Sequence, residues 1–261
     1  MRYDRNTVAA WWYREHRIDD MNNAFLRISE LTDIGHVLRL VCNFAQSQGV
    51  VRQSYHFSPL FDSPTSASTA VIAKGFDAEW LSLYEQRNFR RHDPIPERTM
   101  KHGEPLLWTD AMTAAPNSPE QEEYFAAMRA HGLVDGIGVA LYGPNCRDAY
   151  ASFDFGEPIV GDVLLRFNRI KAVAQAAQLR IAALLNEQDA PLTLSKRERE
   201  VLHWMAQSKS TSDIGTILSI SPETVRTYVK RLYKKLDTQT RIGAIIRALK
   251  LNLIYNDEIR I

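Results

Sequence analysis

The stretch TSDIGTILSISPETVRTYVKRLYKKL, residues 211–236, decides the fold of the C-terminal part of the chain. Apolar side chains recur at helical spacing in residues 211–218 and again in residues 222–236, and the tripeptide 219–221 separates the two runs. Two helices joined by so short a turn form a helix-turn-helix, whose second helix commonly enters the major groove of DNA. The longer segment 194–250 predicts four short helices built around this motif.

The second helix of the motif has a well-marked start and two different faces. Ser221 is a good N-cap, Pro222 suits the first helical position, and Glu223 complements the positive end of the helix dipole. One face is apolar and is expected to close a small core: Val225, Val229, Leu232 and Leu236. The remaining surface carries hydroxyl and basic groups that suit phosphates and base edges: Thr224, Arg226, Thr227, Lys230, Arg231 and Lys234. A basic helix is also a common solvated surface, so this helix alone does not establish DNA binding.

The distribution of charge favours DNA binding. The whole chain has a formal net charge of only +1. Residues 190–261 contain 13 Lys and Arg against 7 Asp and Glu, a net charge of +6, whereas the preceding residues contain 19 against 24, a net charge of −5. Basic charge concentrated in a small unit is the electrostatic footprint expected for nucleic acid. We therefore predict a separate domain at residues 1–185, a linker at 186–193 and a DNA-binding domain at 194–261.

Length and composition exclude several other classes of protein. The 261 residues are enough for two domains, and 45% hydrophobic with 24% charged residues is typical of a globular protein. No apolar run is long enough to cross a membrane, and the N-terminus lacks the apolar segment of a signal peptide, which predicts a cytoplasmic protein without membrane association. Cys42 and Cys146 lack C-x-x-C spacing and nearby His residues, so we expect no zinc site and no cofactor.

Residues 1–185 alternate between helical and extended patterns. Helices are predicted by apolar spacing and capping signals in six places, namely 8–28, 34–48, 77–87, from about Asp93 and Pro94 onward, 118–131 and 160–185. Extended segments are predicted at 51–57, 68–73, 105–108, 136–142 and 148–155, the last two as an antiparallel pair with a turn at 143–145. The prediction is an α+β fold: an α/β/α sandwich with a central antiparallel sheet, followed by a small all-α four-helix helix-turn-helix domain.

An unusual group of aromatic and acidic residues lies in the middle of this domain. Trp80 and Tyr84 are four residues apart on one predicted helix, so an indole N–H and a phenol O–H share a face. Asp93 and Trp108 follow at separations of nine and fifteen residues. Apolar bulk with a few donors and a strong acceptor suits a small, mostly apolar ligand with an amide or ester head group. The same residues are also ordinary members of a core and a helix cap, and spacing alone leaves both interpretations open.

Taken together, these spacings and Gly136 resemble the autoinducer-binding domain of LuxR-type quorum-sensing regulators. The C-terminal half resembles the DNA-binding domain of the same family at four places: 194–204, 217–221, 224–225 and 235–236. The resemblance covers both predicted domains and leaves the first fifty residues and the long connecting helix weakly matched.

The resemblance implies an N-acyl homoserine lactone as ligand and gives roles to particular residues. Trp80 would donate to the lactone carbonyl, and Asp93 would accept from the amide N–H. Tyr84 and Trp108 would line the acyl and lactone regions, and Ser152 would bond the amide carbonyl. A buried lactone or amide without partners would cost about 1 to 3 kcal/mol for each unpaired group, so these roles are also physically reasonable.

The resemblance further implies a transcriptional regulator that binds double-stranded operator DNA. Arg226, Lys230 and their neighbours would contact the operator. A homodimer is expected because one helix-turn-helix reads only a short half-site and two-fold dimers are the common solution. The final predicted helix, residues 240–251, suits either the dimer seam or the core of its own domain. RNA polymerase is an expected partner if the protein is an activator.

Three positions depart from the family pattern. Phe76 replaces a Tyr whose hydroxyl commonly bonds the amide carbonyl, which puts the head-group geometry or the ligand class in question. Ser208 replaces a Gly in the turn before the first helix of the motif, and strain is expected there if the residue needs a positive φ. Tyr228 lies where His is frequent, which is expected to alter a backbone contact.

Three alternatives stay open at this point. Phe76 keeps open a LuxR-type regulator that responds to a different small molecule, or to none. A response regulator would need a receiver domain with parallel strands, which the paired late strands argue against. An enzyme has little support, because the chain contains no G-x-S-x-G elbow, no H-x-x-x-H pair and no glycine-rich phosphate loop. His56, His92 and His203 are interpreted as surface or core residues.

Overall fold

The structure is a computed structural model that describes residues 20–58, 69–188 and 192–254. The chain divides into two compact units, Met1–Asn186 and Glu187–Ile261. Residues 8–19 of the first predicted helix lie outside the described residues.

The described residues of the first unit form a sheet flanked by helices. The helices are α1 (Met21–Glu30), α2 (Ile34–Ser47), α3 (Ala78–Gln86), α4 (Ile95–His102), α5 (Trp108–Thr113), α6 (Pro119–Ala130) and α7 (Gly161–Gln188), with 3-10 turns at Phe89–Arg91 and Pro144–Cys146. The strands are β1 (Arg52–Phe57), β2 (Ala70–Lys74), β3 (Leu106–Leu107), β4 (Gly136–Leu141) and β5 (Ala149–Asp154). The sheet order is β2-β1-β5-β4-β3, and every neighbouring pair is antiparallel.

The two faces of the sheet bury different sets of residues because successive strand side chains point to opposite sides. Tyr55 and Phe153 join a core that contains residues of α1, α2 and α7. Tyr150, on the other face of β5, joins a second core with residues of α3, α4, α5 and α6. The predicted α/β/α sandwich with a central antiparallel sheet is therefore confirmed.

The predicted extended segment 105–108 is wrong at its last residue. Leu106 and Leu107 pair with Gly138 and Ile137, after which pairing stops and Trp108 begins α5. The indole of Trp108 packs against the backbone of Gly136. Trp108 therefore packs its ring beside β4 and does not extend the pairing of β3 with β4.

The described residues of the second unit form the four predicted helices: α8 (Lys196–Ala206), α9 (Thr211–Leu218), α10 (Pro222–Lys235) and α11 (Arg241–Lys250). Ser195 and Glu198 form a capping box on α8, Ser210 and Asp213 form one on α9, and the Ser221 side chain caps α10. All four helices contribute to one apolar core. The carboxylate of Glu198 also accepts a 2.7 Å hydrogen bond from Lys235 Nζ, which ties α8 to α10.

Ser208 occupies the backbone conformation that makes glycine preferable. Its φ is +58°, in the left-handed region, between the end of α8 and the start of α9. An L residue with a side chain is strained there, by roughly 1–2 kcal/mol relative to the right-handed region. The strain expected from the sequence is therefore present in the fold.

Candidate ligand pocket and DNA-binding surface

A cavity of about 320 Å³ lies between the sheet and the helices α3 to α6. This volume is within the range of small-molecule sites. The six residues predicted from the sequence all line it: Phe76, Trp80, Tyr84, Asp93, Trp108 and Ser152. The fold thus brings together residues that are separated by up to 76 positions in the chain.

Aromatic rings form one wall of the cavity. The Trp80 ring centroid lies 5.8 Å from that of Tyr84, 6.2 Å from that of Phe89 and 6.2 Å from that of Tyr124. The Asp77 side chain accepts a 2.7 Å hydrogen bond from the Trp80 backbone N–H and so fixes the start of α3. The rings are held in a packed cluster, and only 5% of Trp80 is exposed.

Asp93 is a buried carboxylate in the same wall. Its Oδ1 accepts a 2.9 Å hydrogen bond from the Ile95 backbone N–H, and its Oδ2 accepts one of 3.4 Å from the Tyr84 hydroxyl. Burial raises the pKa of Asp93 from 3.8 to about 6, although the Ile95 N–H and the hydroxyls of Tyr124 and Tyr84 favour the charged form. One carboxylate oxygen of Asp93 thus caps a turn, and the residue also lines the cavity.

The position of Trp108 depends on a glycine. A Cβ atom added to Gly136 would lie 2.3 Å from Cδ2 of the Trp108 indole, so only glycine allows this close approach. The indole Nε1 is buried and has no hydrogen-bond partner among the described residues. Burial raises the pKa of the neighbouring Tyr150 phenol, and the Trp108 indole acts in the opposite direction.

A row of polar side chains on β1 and β5 forms the wall on the sheet side. Ser54 Oγ lies 2.8 Å from Ser152 Oγ and 3.2 Å from His56 Nε2. The register places Ser54 opposite Ser152 and His56 opposite Tyr150. At most 7% of any of these four residues is exposed.

Several of these lining residues were not predicted as site residues from the sequence: Ser54, His56, Tyr124 and Tyr150. His56 was interpreted as a surface or core residue, and it is buried in the cavity wall. A signal for it existed, because Ser54 and His56 are two apart in a strand and must share a face, where a pair of polar residues is unusual for a core.

In the second unit, α10 presents the predicted polar face. The six residues proposed from the sequence are all exposed: Thr224, Arg226, Thr227, Lys230, Arg231 and Lys234. Val225, Leu232 and Leu236 are buried in the core. Arg226 forms an ion pair with Glu223, and the Arg231 guanidinium lies 5.6 Å from the centroid of the Tyr228 ring.

Comparison with known families identifies both units. Residues 33–181 match the family described as "Autoinducer binding domain". Residues 192–248 match "Bacterial regulatory proteins, luxR family". The chain belongs to the LuxR family of autoinducer-binding regulators. The resemblance predicted from the sequence is thereby confirmed, and neither description names an enzyme.

Individual LuxR-type regulators are similar over much of their length. The quorum sensing-dependent transcriptional regulator RpaR of Rhodopseudomonas palustris is 29% identical over 185 residues, which are 70% of this chain and 75% of RpaR. The regulatory protein SdiA of Escherichia coli is 28% identical over 240 residues, which are 88% of this chain and 93% of SdiA. A crystal structure of SdiA has a TM-score of 0.68 at 25% identity and covers 90% of this chain and 98% of its own. A structure of SdiA in complex with octanoyl-rac-glycerol has a TM-score of 0.66 at 24% identity, with 98% and 99% covered, and shares the fold.

This LuxR-type regulator is a ligand-responsive transcriptional regulator of the quorum-sensing class, with a DNA-binding helix-turn-helix. Residues 33–181 match the autoinducer-binding family, and the described strands pair antiparallel, unlike the parallel strands that a receiver domain would need. Among the described residues no group of His, Cys, Asp and Glu could hold a metal ion. Within the same part of the chain, no helix has the length and apolarity needed to span a membrane.

Proposed function

We propose that this protein binds an N-acyl homoserine lactone in the cavity and, when liganded, binds operator DNA as a homodimer. The observation that carries the ligand is the carboxylate of Asp93, buried beside Trp80 and Tyr84 in the cavity wall. A buried carboxylate can accept further hydrogen bonds beyond those from Ile95 N–H and the Tyr84 hydroxyl, and the amide N–H is the one hydrogen-bond donor of an unsubstituted acyl lactone.

The other polar groups of the wall fit the rest of this head group. In our proposal Trp80 donates to the lactone carbonyl and Ser152 donates to the amide carbonyl, while Tyr84 and Trp108 line the acyl and lactone regions. The unpaired Nε1 of Trp108 also lies in the cavity wall, where a ligand oxygen is a suitable partner. Leaving such groups unpaired on a bound ligand would cost about 1 to 3 kcal/mol each.

Phe76 supports a second candidate. It lines the cavity without the hydroxyl that is usual in the family, so one head-group contact is missing. A small molecule with an acyl chain but another head group would then be the ligand. SdiA, a relative with the same fold, has been solved with octanoyl-rac-glycerol.

We further propose that residues 1–185 are the ligand-binding domain, 186–193 the linker and 194–261 the DNA-binding domain. The DNA contacts are assigned to the exposed face of α10: Thr224, Arg226, Thr227, Lys230, Arg231 and Lys234. We expect a cytoplasmic protein without catalytic activity, and RNA polymerase as a partner if it activates transcription.

Two observations support a homodimer. One helix-turn-helix reads only a short half-site, and two-fold dimers commonly pair two of them. On α11, Ala244 and Ala248 are buried in the core, whereas Ile242 and Ile246 are 71% and 48% exposed. Two isoleucines four residues apart on an exposed helix face suit contact with a second copy.

The mechanism follows from mass action. A ligand that completes the core of the first domain stabilises the folded, dimerising form and raises the population that binds DNA. The test compares the wild type with Asp93→Asn and Trp80→Phe, and with Asp110→Asn as an exposed control on α5. We expect the first two variants to lose lactone-dependent thermal stabilisation and reporter output and the control to keep both. Unchanged responses in Asp93→Asn and Trp80→Phe would refute the pocket assignment.

A further inference from the structure

Ser152, Ser54 and His56 form a row of polar side chains in the cavity wall, and their hydrogen bonding bears on which acyl chain the ligand has. Ser54 lies between the other two and contacts both, at 2.8 Å and 3.2 Å. All three are more than nine-tenths buried and line the cavity. The other ring nitrogen of His56, Nδ1, has no hydrogen-bond partner among the described residues.

The protonation state of His56 limits how this row can be ordered. Burial, and then the positive charge of Arg90, lower the pKa of His56 to about 4, so the imidazole is neutral near neutral pH. A neutral imidazole has one N–H donor and one bare nitrogen acceptor. Each of the three residues therefore brings a single proton to the row.

The row has three protons for two internal contacts, so one donor is not used within it. The two contacts of Ser54 use two protons, and the third is available to a group outside the row. A ligand carbonyl is a suitable acceptor for this surplus proton.

Binding of the amide carbonyl at Ser152 then fixes the direction of the whole row. If Ser152 donates to the ligand, Ser54 donates to Ser152, and His56 donates to Ser54 through Nε2–H. Nδ1 of His56 is then a bare acceptor that has no partner in the described residues. An acyl chain without a substituent would leave this acceptor unpaired if it covered it, and a keto oxygen would face it with a second acceptor.

We propose that the ligand of this protein is a lactone whose acyl chain carries a hydroxyl group at the 3-position, and that this hydroxyl donates to His56 Nδ1. His56 is then a specificity-determining residue, and Ser54 is the positioning residue that links it to the amide site. The 3-position is chosen because His56 is connected to Ser152 through a single intervening side chain. This inference rests on the proposed function, since it presumes that Ser152 binds the amide carbonyl.

The experiment measures the dissociation constants of the full-length protein for three probes with equal chain length. These are the octanoyl, 3-oxooctanoyl and 3-hydroxyoctanoyl homoserine lactones. We expect the 3-hydroxy compound to bind about tenfold or more tightly than either of the others, because only it satisfies the bare nitrogen. Equal affinities, or a preference for the 3-oxo compound, would overturn the inference and leave the proposed function in place.

Variants test the role of His56 separately from folding. His56→Phe keeps the ring volume and removes the acceptor, so we expect its affinities for the three lactones to be equal and the preference for the 3-hydroxy compound to be lost. His56→Asn, unlike His56→Phe, keeps a hydrogen-bond acceptor in its side chain. We expect it to retain part of the preference for the 3-hydroxy compound. Asp93→Asn is expected to lower the affinity for all three lactones by the same factor. If none of the three binds the wild type, the proposed function fails, and this inference with it.

Discussion

The hydroxyl of Tyr84 lies 3.4 Å from Oδ2 of Asp93, within a cavity where burial raises the pKa of that carboxyl to about 6. The same carboxylate that suits a ligand amide is therefore a burden on the unliganded fold. The rise from 3.8 to about 6 corresponds to about 3 kcal/mol of destabilisation once the group is charged. If Asp93 binds the ligand amide as we propose, ligand binding and the stability of the unliganded fold are opposed at this residue.

Asp93→Asn should make the unliganded protein more stable at neutral pH. Below pH 3.8 the carboxyl is protonated in both the folded and the unfolded state, so the two proteins should differ least there. As pH rises to about 6 and above, the wild type should lose up to about 3 kcal/mol relative to the variant. Denaturant unfolding of both proteins across this range measures the difference.

Asp110→Asn, at an exposed site on α5, is the control, and we expect its free energy of unfolding to stay close to that of the wild type. His56 has the opposite effect, because its lowered pKa destabilises the fold as pH falls from 6.5 towards about 4. Since both proteins contain His56, this effect cancels in the difference between their free energies of unfolding. A variant that is less stable than the wild type at neutral pH would contradict the assignment of Asp93 as a buried, costly charge.

Gly136→Ala should remove the ligand response. The added Cβ would lie 2.3 Å from the Trp108 indole, so the ring must move out of the cavity wall. Overpacking of this kind costs about 1–3 kcal/mol, and we expect lower thermal stability together with loss of lactone-dependent stabilisation. Gly35→Ala, in the first turn of α2, is the control: its added Cβ would lie 3.2 Å from Oδ1 of the exposed Asp33, a contact that a small side-chain shift relieves, so we expect a much smaller change in stability and a normal lactone response. A normal lactone response in Gly136→Ala would show that the position of Trp108 is not needed.

The helix-turn-helix could be predicted from the sequence because its signals are local. Ser221 and Pro222 specify the start of α10 through contacts within one turn, and the apolar spacing of Val225 and Leu232 specifies its buried face. The residue types and spacing of Trp80 and Asp93 suggest a small-molecule site but leave a core interpretation open. Only the resemblance assigns them to one pocket, since nothing in their spacing states that they meet in space.

The polar row could not be predicted in the same way. Ser54 and Ser152 are 98 residues apart, and their contact depends on the register of β1 against β5. Register is set by the packing of the whole sheet, and a shift of one residue would point Ser54 to the opposite core. The alternation of β1 identifies which residues share a face, but not which strand lies beside them.

Ser208→Gly should stabilise the DNA-binding unit. The φ of +58° strains serine and suits glycine, so we expect a gain of about 1 kcal/mol in the free energy of unfolding. Gln207→Gly, one residue earlier with a φ of −78°, is the control and should be neutral or destabilising. Equal effects of the two substitutions in thermal unfolding would mean that Ser208 carries no strain.

Lys230→Ala should weaken DNA binding because it removes a proposed contact with a DNA phosphate. We expect lower affinity for all sequences and a decrease of about 1 in the slope of log affinity against log salt concentration. Arg197→Ala, on α8, removes an equal charge outside α10 and should leave the slope unchanged. Fluorescence anisotropy with labelled duplexes over a salt series distinguishes the two variants. A Lys230→Ala slope equal to that of the wild type would refute the assignment of this residue to the DNA-binding face.

Mass spectrometry of small molecules that co-purify with the protein tests the central claim most directly. The full-length wild type, Asp93→Asn and Asp110→Asn are purified from cells grown with a mixture of acyl homoserine lactones. We expect an intact acyl lactone in near-stoichiometric amount with the wild type and with Asp110→Asn, and its loss with Asp93→Asn. Absence of any lactone from the wild type, or equal retention by Asp93→Asn, would contradict the claim that this cavity senses an acyl lactone through Asp93.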